Sequence, residues 1–136
     1  MDKAQIHPGQ LHDLTTDECW TLAASMPVGR LAWCGPQGPT VVPVNFVVAE
    51  GRVHVRTAAY SAQARECDDS PVAFEVDRFD ADDRTGWSVL LRGRAHLQYG
   101  GSPGGEQPDV WLSGPRSLRL RIAVTEVTGR RVIAPE

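Results

Sequence analysis

Lysine is nearly absent from this chain of 136 residues: Lys3 is the single one beside 13 arginines, and 17 acidic against 14 basic residues leave a net charge of -3. That sign excludes general binding to a phosphate backbone, so nucleic acid is not an expected partner. Cysteine is also scarce. Cys19, Cys34 and Cys67 are odd in number, widely spaced and without a C-x-x-C pair, which argues against a disulfide framework and a zinc site and for buried or partly buried free thiols. Long apolar runs are missing as well. Val41 to Ala49 is the longest, it is interrupted by Pro43 and Asn45, and it falls far short of the ~20 residues of a membrane helix. The first residues, MDKAQIHPGQLHD, lack the apolar stretch of a secretory signal. The expectation is one cytoplasmic domain that meets no membrane.

What is present reads as a mainly β chain. Thr15 followed by Glu18 forms a capping box, and Cys19, Leu22, Ala23 and Met26 recur on one helical face until Pro27. Residues 1–13 carry no period and are taken as a polar lead-in to a single domain over 14–136. Strands are expected near Val28–Cys34, Thr40–Ala49 and Arg52–Thr57, with turns at Gly35-Pro36-Gln37-Gly38 and Glu50-Gly51. A short helix near Ser61–Cys67, strands Val72–Asp77 and Trp87–Tyr99, and an acidic loop Arg78–Gly86 between those strands follow. The stretch 100–108 is rich in Gly and Pro and reads as a loop. Alternation from Leu118 to Val124 marks another strand, and Val132-Ile133 closes the chain. Six or seven strands at this spacing with two short helices imply a closed or nearly closed barrel.

No nucleophile elbow, phosphate-binding glycine loop or H-E-x-x-H occurs, so no catalytic residue is legible. His7, His12, His54 and His96 lack a second ligand at metal spacing, and Asp80, Asp82 and Asp83 read as a solvated loop, so no metal is expected. Pro43 has no N–H, and local pairing is expected to break there, leaving backbone groups near Asn45 free to meet a planar heterocycle. An edge strand guarded by proline explains the same residues equally well. Arg56 and Thr57 at a strand end, with Ser61 near a helix start, would suit a phosphate. An exposed arginine on a polar strand face is the plainer alternative. Trp20 and Trp33 read as structural, Trp87 as core, and Trp111 as a lid or interface residue.

Taken in order, Leu14-Thr15-x-x-Glu18-Cys19, Val28-Gly29-Arg30-Leu31-Ala32, Val42-Pro43-Val44-Asn45-Phe46, Val55-Arg56-Thr57, Val72 to Asp77, Gly86-Trp87-Ser88-Val89 and Val127-Thr128-Gly129-Arg130-Arg131 resemble the pyridoxamine 5'-phosphate oxidase-like flavin-binding split-barrel proteins, in their small actinobacterial type. The resemblance covers roughly residues 14–133. It implies a six-stranded Greek-key split β-barrel with two or more short helices, forming a homodimer with flavin sites at the interface. By position, Pro43, Val44, Asn45 and Phe46 would run beside an FMN ring system. Arg56 and Thr57 would meet its phosphate end, with Ser61 adding a contact. Trp87, Ser88 and Trp111 would approach from the partner subunit. Family members commonly place a lysine where this chain has Ala62, and a small residue where it has Tyr60, so the phosphate clamp has lost a cation worth about 1.5–3 kcal/mol. The implied activity is that of an FMN-dependent oxidoreductase acting on a small molecule that the sequence does not identify. A deazaflavin-dependent reductase and a cofactor-free barrel serving as a ligand-binding or interaction module are the alternatives.

Overall fold

The computed structural model describes residues 9–58, 61–98 and 118–134. Its elements are β1 (Gln10–Asp13), α1 (Thr16–Ala24), β2 (Val28–Gly35), β3 (Gly38–Ala49), β4 (Arg52–Thr57), α2 (Ala62–Cys67), β5 (Ser70–Asp80), β6 (Thr85–Gln98) and β7 (Leu118–Ile133). Neighbouring strands pair antiparallel in the order β1-β7-β4-β3-β2-β5-β6, and a further pairing of β7 with β6 closes six of them into a barrel. The expected split-barrel architecture is present.

Local chemistry starts and stops these elements. The Thr15 side chain accepts from the Glu18 N–H while a Glu18 carboxylate oxygen accepts from the Thr15 N–H at 2.8 Å, so both halves of the capping box form. β3 and β4 are joined by Glu50 and Gly51, both at positive φ, 54° and 71°, as a type I′ turn requires. Alternation along the strands then sends one set of side chains inward. Leu31, Phe46, Val53, Val55, Phe74, Val76, Val89, Leu91, Leu120 and Ile122 make the interior, and Cys19 and Ala23 of α1 join the same cluster.

Five expectations change. Gln10–Asp13 is not lead-in but a strand, paired with Arg130–Ile133 of β7. The acidic loop shrinks to residues 81–84, because β5 runs to Asp80 and β6 starts at Thr85, and Asp80 Oδ1 accepts from the Asp82 and Asp83 N–H groups to form the turn. The last two expected strands are one, β7, continued through a bulge opposite Arg92 and Gly93 that absorbs Thr125. Cys34 is exposed rather than buried, since it lies on the outer face, whereas Cys19 and Cys67 are buried. Burial raises both of those thiols, Cys67 to about 12.

The fifth concerns Pro43. Pairing does not break there: β3 continues through Pro43, opposite Arg30 of β2. A two-residue turn closes on a hydrogen-bonded pair, here Gly35 and Gly38, so residues 39, 41, 43 and 45 direct their backbone groups away from β2. The missing N–H of Pro39 and Pro43 therefore falls on the far edge. β4 pairs with β3 only from Phe46 to Ala49, so over residues 39–45 that edge has no partner strand among the described residues. The edge reading is the one that the structure carries. The barrel is split at this place.

Candidate functional site

The split edge of β3 lies beside the end of β4. Val44 and Phe46 point into the interior, 3% and 1% exposed, so only their backbone faces the edge; Asn45 lies on the opposite face and is 1% exposed. On β4, Thr57 is fully buried and Arg56, on the outer face, is half-buried. Thr57 Oγ1 and Ser61 Oγ are 2.7 Å apart. Ser61 is also the N-cap of α2: its hydroxyl accepts from the Ala64 N–H at 3.2 Å and donates to the Ala58 carbonyl at 2.8 Å. Ala62 packs against the core cluster. Thr57 and Ser61 thus meet next to an unpaired strand edge, and Arg56 leaves the opposite face of β4 at the same end.

Trp87 and Ser88 are not brought to this group within one chain. They pair with Arg131 and Arg130, near the end of β7, whereas Thr57 pairs with Leu118 at its start. They also diverge from each other. Trp87 turns inward, 9% exposed, and floors a cleft of about 670 Å³ with Leu22, Arg78, Asp80 and Arg131. Ser88 faces outward into a second cleft of about 680 Å³ with Asp13, Thr128 and Arg130. Tyr60, Trp111 and the 100–108 stretch lie outside the described residues. Trp33 is structural as expected, its indole Nε1–H donating to Glu66 at 2.9 Å.

Two clusters escaped sequence reasoning. On the outer face of β2 and β5, one guanidinium nitrogen of Arg30 donates to both Glu75 and Asp77 at 2.8 Å. Burial pushes the Glu75 carboxyl up to about 7, the hydrogen bond and negative charge of Asp77 add to it, and Arg30 opposes them. A carboxyl that holds its proton more tightly in the folded chain stabilises the fold fully below its ordinary value of 4.5 and loses that contribution as pH rises through about 7. The melting temperature is expected to fall between about pH 5 and about pH 8, and Glu75→Gln to flatten that slope. An unchanged slope in the variant would rule Glu75 out as its source.

The second cluster is basic. Directly opposite residues share a face, which sets Arg56 against Arg119 and His54 against Arg121 across β4 and β7, and His96 against Arg121 across β7 and β6. Arg119 is 7% exposed. Burial lowers the His54 pKa, helped by Arg119, Arg121 and Arg52 and opposed by Glu50. The alternation of β4 is visible in the sequence; its pairing with Arg119 and Arg121 is not. Among the described residues no group of three or more His, Cys, Asp or Glu could hold a metal, and no helix is long and apolar enough to cross a membrane.

Three comparisons bear on this geometry. The sequence pattern of the pyridoxamine 5'-phosphate oxidase family matches residues 15–100. An uncharacterized protein of Mycobacterium tuberculosis is 40% identical over 88 residues, which cover 61% of this chain and 58% of that relative's own length. Among solved structures, an FAD-binding protein from Mycobacterium smegmatis superposes with a TM-score of 0.72 at 29% identity, over 90% of this chain and 98% of its own. A conserved protein of unknown function from Corynebacterium diphtheriae gives 0.69 at 32% identity, over 90% and 98%.

Proposed function

Since the chain belongs to the pyridoxamine 5'-phosphate oxidase family, we propose that it binds a flavin at the split edge of β3, FMN or a deazaflavin in the simplest case, and works as an oxidoreductase on a small molecule. The observation that carries this reading is the Thr57–Ser61 hydroxyl pair beside the unpaired edge, with Arg56 the preceding residue of β4. The residues fit such a group. Arg56 offers a fork of donors to a phosphate, the two hydroxyls can exchange their mutual hydrogen bond for phosphate oxygens, and the edge residues present alternating backbone donors and acceptors. The similarity to an FAD-binding protein of M. smegmatis supports a flavin. A bound flavin would supply the redox chemistry. The chain's own part is to anchor the phosphate through Arg56, to orient the ring along residues 41–45, and to exclude water from one side by the barrel wall.

FMN titration followed by absorbance and calorimetry tests this. Arg56→Ala is expected to weaken FMN about tenfold to a hundredfold, the loss of one charge-assisted contact, and more than Arg52→Ala or Arg119→Ala. Equal dissociation constants for all three would remove Arg56 from the site. One observation favours a second reading: the Ser61 hydroxyl is already engaged by Thr57, Ala58 and Ala64, and Ala62 faces the core rather than replacing the lost lysine in space. A colourless protein that takes up no flavin would establish that cofactor-free barrel instead.

A homodimer belongs to the same proposal. Leu11, Val132, Gly86 and Phe79 lie directly opposite one another across β1, β7, β6 and β5, and Leu11 and Phe79 are 57% and 60% exposed. On β3, Val41 is 61% exposed beside the split edge. Apolar rows of this kind are covered in stable proteins by another surface. A second copy would also bring Trp87 and Ser88 toward a flavin that their own chain holds at its other end. Light scattering is expected to give twice the chain mass of 14.8 kDa; the single mass would count against both the dimer and the shared site.

A further inference from the structure

Two sequence motifs lie outside the flavin site of their own chain, and the sheet sets them against each other. Gly86-Trp87-Ser88 of β6 runs opposite Val132, Arg131 and Arg130 of β7, residue by residue, so Trp87 faces Arg131. On its other side Trp87 faces Arg78 of β5. Directly opposed residues share a face, which puts the indole between two arginines in one row. Beyond Arg131 the row continues to His12 of β1, whose ring is 3.2 Å from the Gln10 side-chain oxygen. Asp80 and Thr85, themselves opposed, lie one step further out on the same face.

Helix α1 turns this row into a cleft. A Cβ at Gly129 would lie 2.6 Å from the Cys19 Sγ and 3.0 Å from the Leu14 Cδ1, so the missing side chain is what lets the helix approach β7. The approach brings Leu22, one turn beyond Cys19, into one wall of the cleft. Its volume of about 670 Å³ is that of a site for a small organic molecule. Positive charge predominates in it. Neither Arg78 nor Arg131 is ion-paired among the described residues. The neighbouring carboxylates are engaged elsewhere: Asp80 Oδ1 accepts from the Asp82 and Asp83 N–H groups at 2.9 and 3.0 Å. Glu18, whose carboxyl Arg131 helps to hold below its ordinary value, accepts from the Thr15 N–H in the capping box.

We propose that this cleft binds a small aromatic carboxylate, with its ring against Trp87 and Leu22 and its carboxylate on Arg131 and Arg78. A guanidinium fork matches a planar carboxylate through two parallel hydrogen bonds, and the apolar walls beside it strengthen those bonds by lowering the local dielectric. The ring leaves water for the surface of Trp87, Leu22 and Ile133. Both halves of the ligand are needed: a neutral ring leaves two like charges unanswered, and a small anion without a ring leaves the apolar walls wet. The site goes beyond the flavin reading and does not depend on it. Its residues belong to one chain and cluster near the end of β7, whereas Thr57 pairs with the start of that strand.

The test uses the full chain without added flavin and three probes, followed by calorimetry and tryptophan fluorescence: benzoate, its neutral counterpart benzamide, and acetate. Benzoate is expected to bind saturably and at least about tenfold more tightly than the other two, since benzamide lacks the charge and acetate the ring. Arg131→Gln should weaken benzoate about tenfold to a hundredfold and narrow its advantage over benzamide to about twofold, and Arg131→Lys should restore part of it. Arg130→Gln, one residue away on the opposite face, should leave benzoate unchanged. In the unaltered protein, affinity for benzoate should fall with salt while that for benzamide holds, a readout that needs no variant to fold. No saturable binding of benzoate at millimolar concentration, equal affinity for benzoate and benzamide, or equal losses in Arg130→Gln and Arg131→Gln would overturn the site and leave the flavin reading standing. Benzoate bound in an Arg131-dependent way by a chain that takes up no flavin would establish the site and remove the flavin reading.

Discussion

Phe74→Ala is expected to lower the unfolding free energy by about 3–5 kcal/mol, the range for removing a buried aromatic ring, and the melting temperature by roughly 10–20 °C. Phe74 is fully buried at the centre of β5, opposite Leu31 of β2 and Leu91 of β6, which are also fully buried. Its ring meets that of Phe46 edge-on, with centroids 4.8 Å apart and planes at 67°. Phe46 comes from β3 next to the split, where fewer strand pairings hold the wall, so this aromatic pair ties β3 to β5 across the interior. Truncation leaves a cavity lined by side chains that strands on several sides keep in place, so little collapse can refill it. A total stability of about 5–15 kcal/mol makes the loss a large part of the whole. Phe74→Leu should recover about half of it. Urea unfolding of the two variants checks both statements, and a loss below 1.5 kcal/mol, about the cost of a volume-conserving swap, would mean that Phe74 does not anchor the core.

Gly93→Ala should destabilise by about 3 kcal/mol, the upper end of what overpacking costs, although it adds only a methyl group. Gly93 sits on β6 where the register with β7 shifts, its partner being Val124 while the preceding Arg92 pairs with Glu126. A Cβ placed there would press into the Ala123 carbonyl oxygen inside van der Waals contact and lie 2.9 Å from the Val124 Cα. Both obstacles are backbone, and the ladder between the two longest strands holds that backbone, so no side chain can swing aside. The strain would be relieved by opening the bulge, which carries Thr125, whose hydroxyl donates to the Arg92 carbonyl at 3.3 Å. The bulge also sets the register of the strand that bears Arg119 and Arg121. Denaturation within about 0.5 kcal/mol of the unaltered protein would show that the bulge has room for a side chain.

The sequence alone determined what depends on neighbours along the chain. The capping box at Thr15 and Glu18 forms because both partners lie within one helical turn, and the turn at Glu50-Gly51 forms because Gly51 tolerates positive φ. The inward faces of β4 and β7 follow from strict alternation, Val53 and Val55 on one, Leu120 and Ile122 on the other. Arg56, Thr57 and Ser61 could be placed together because the strand end and helix start that carry them are adjacent in sequence.

Tertiary structure decided whatever depends on register. Nothing local shows that Thr125 is the residue absorbed by a bulge, so the alternation of β7 is lost between Val124 and Val132 and one strand reads as two. Nor does Pro43 say which of its edges is paired; the closing pair Gly35–Gly38 fixes that, and with it the split in the barrel. The contacts of Arg30 with Glu75 and Asp77, and the pairing of His54 with Arg121, join residues far apart in the chain. A slip of one residue between two strands would turn those side chains to the opposite face, and it is the packing of the whole interior, not any segment of it, that makes such a slip unfavourable.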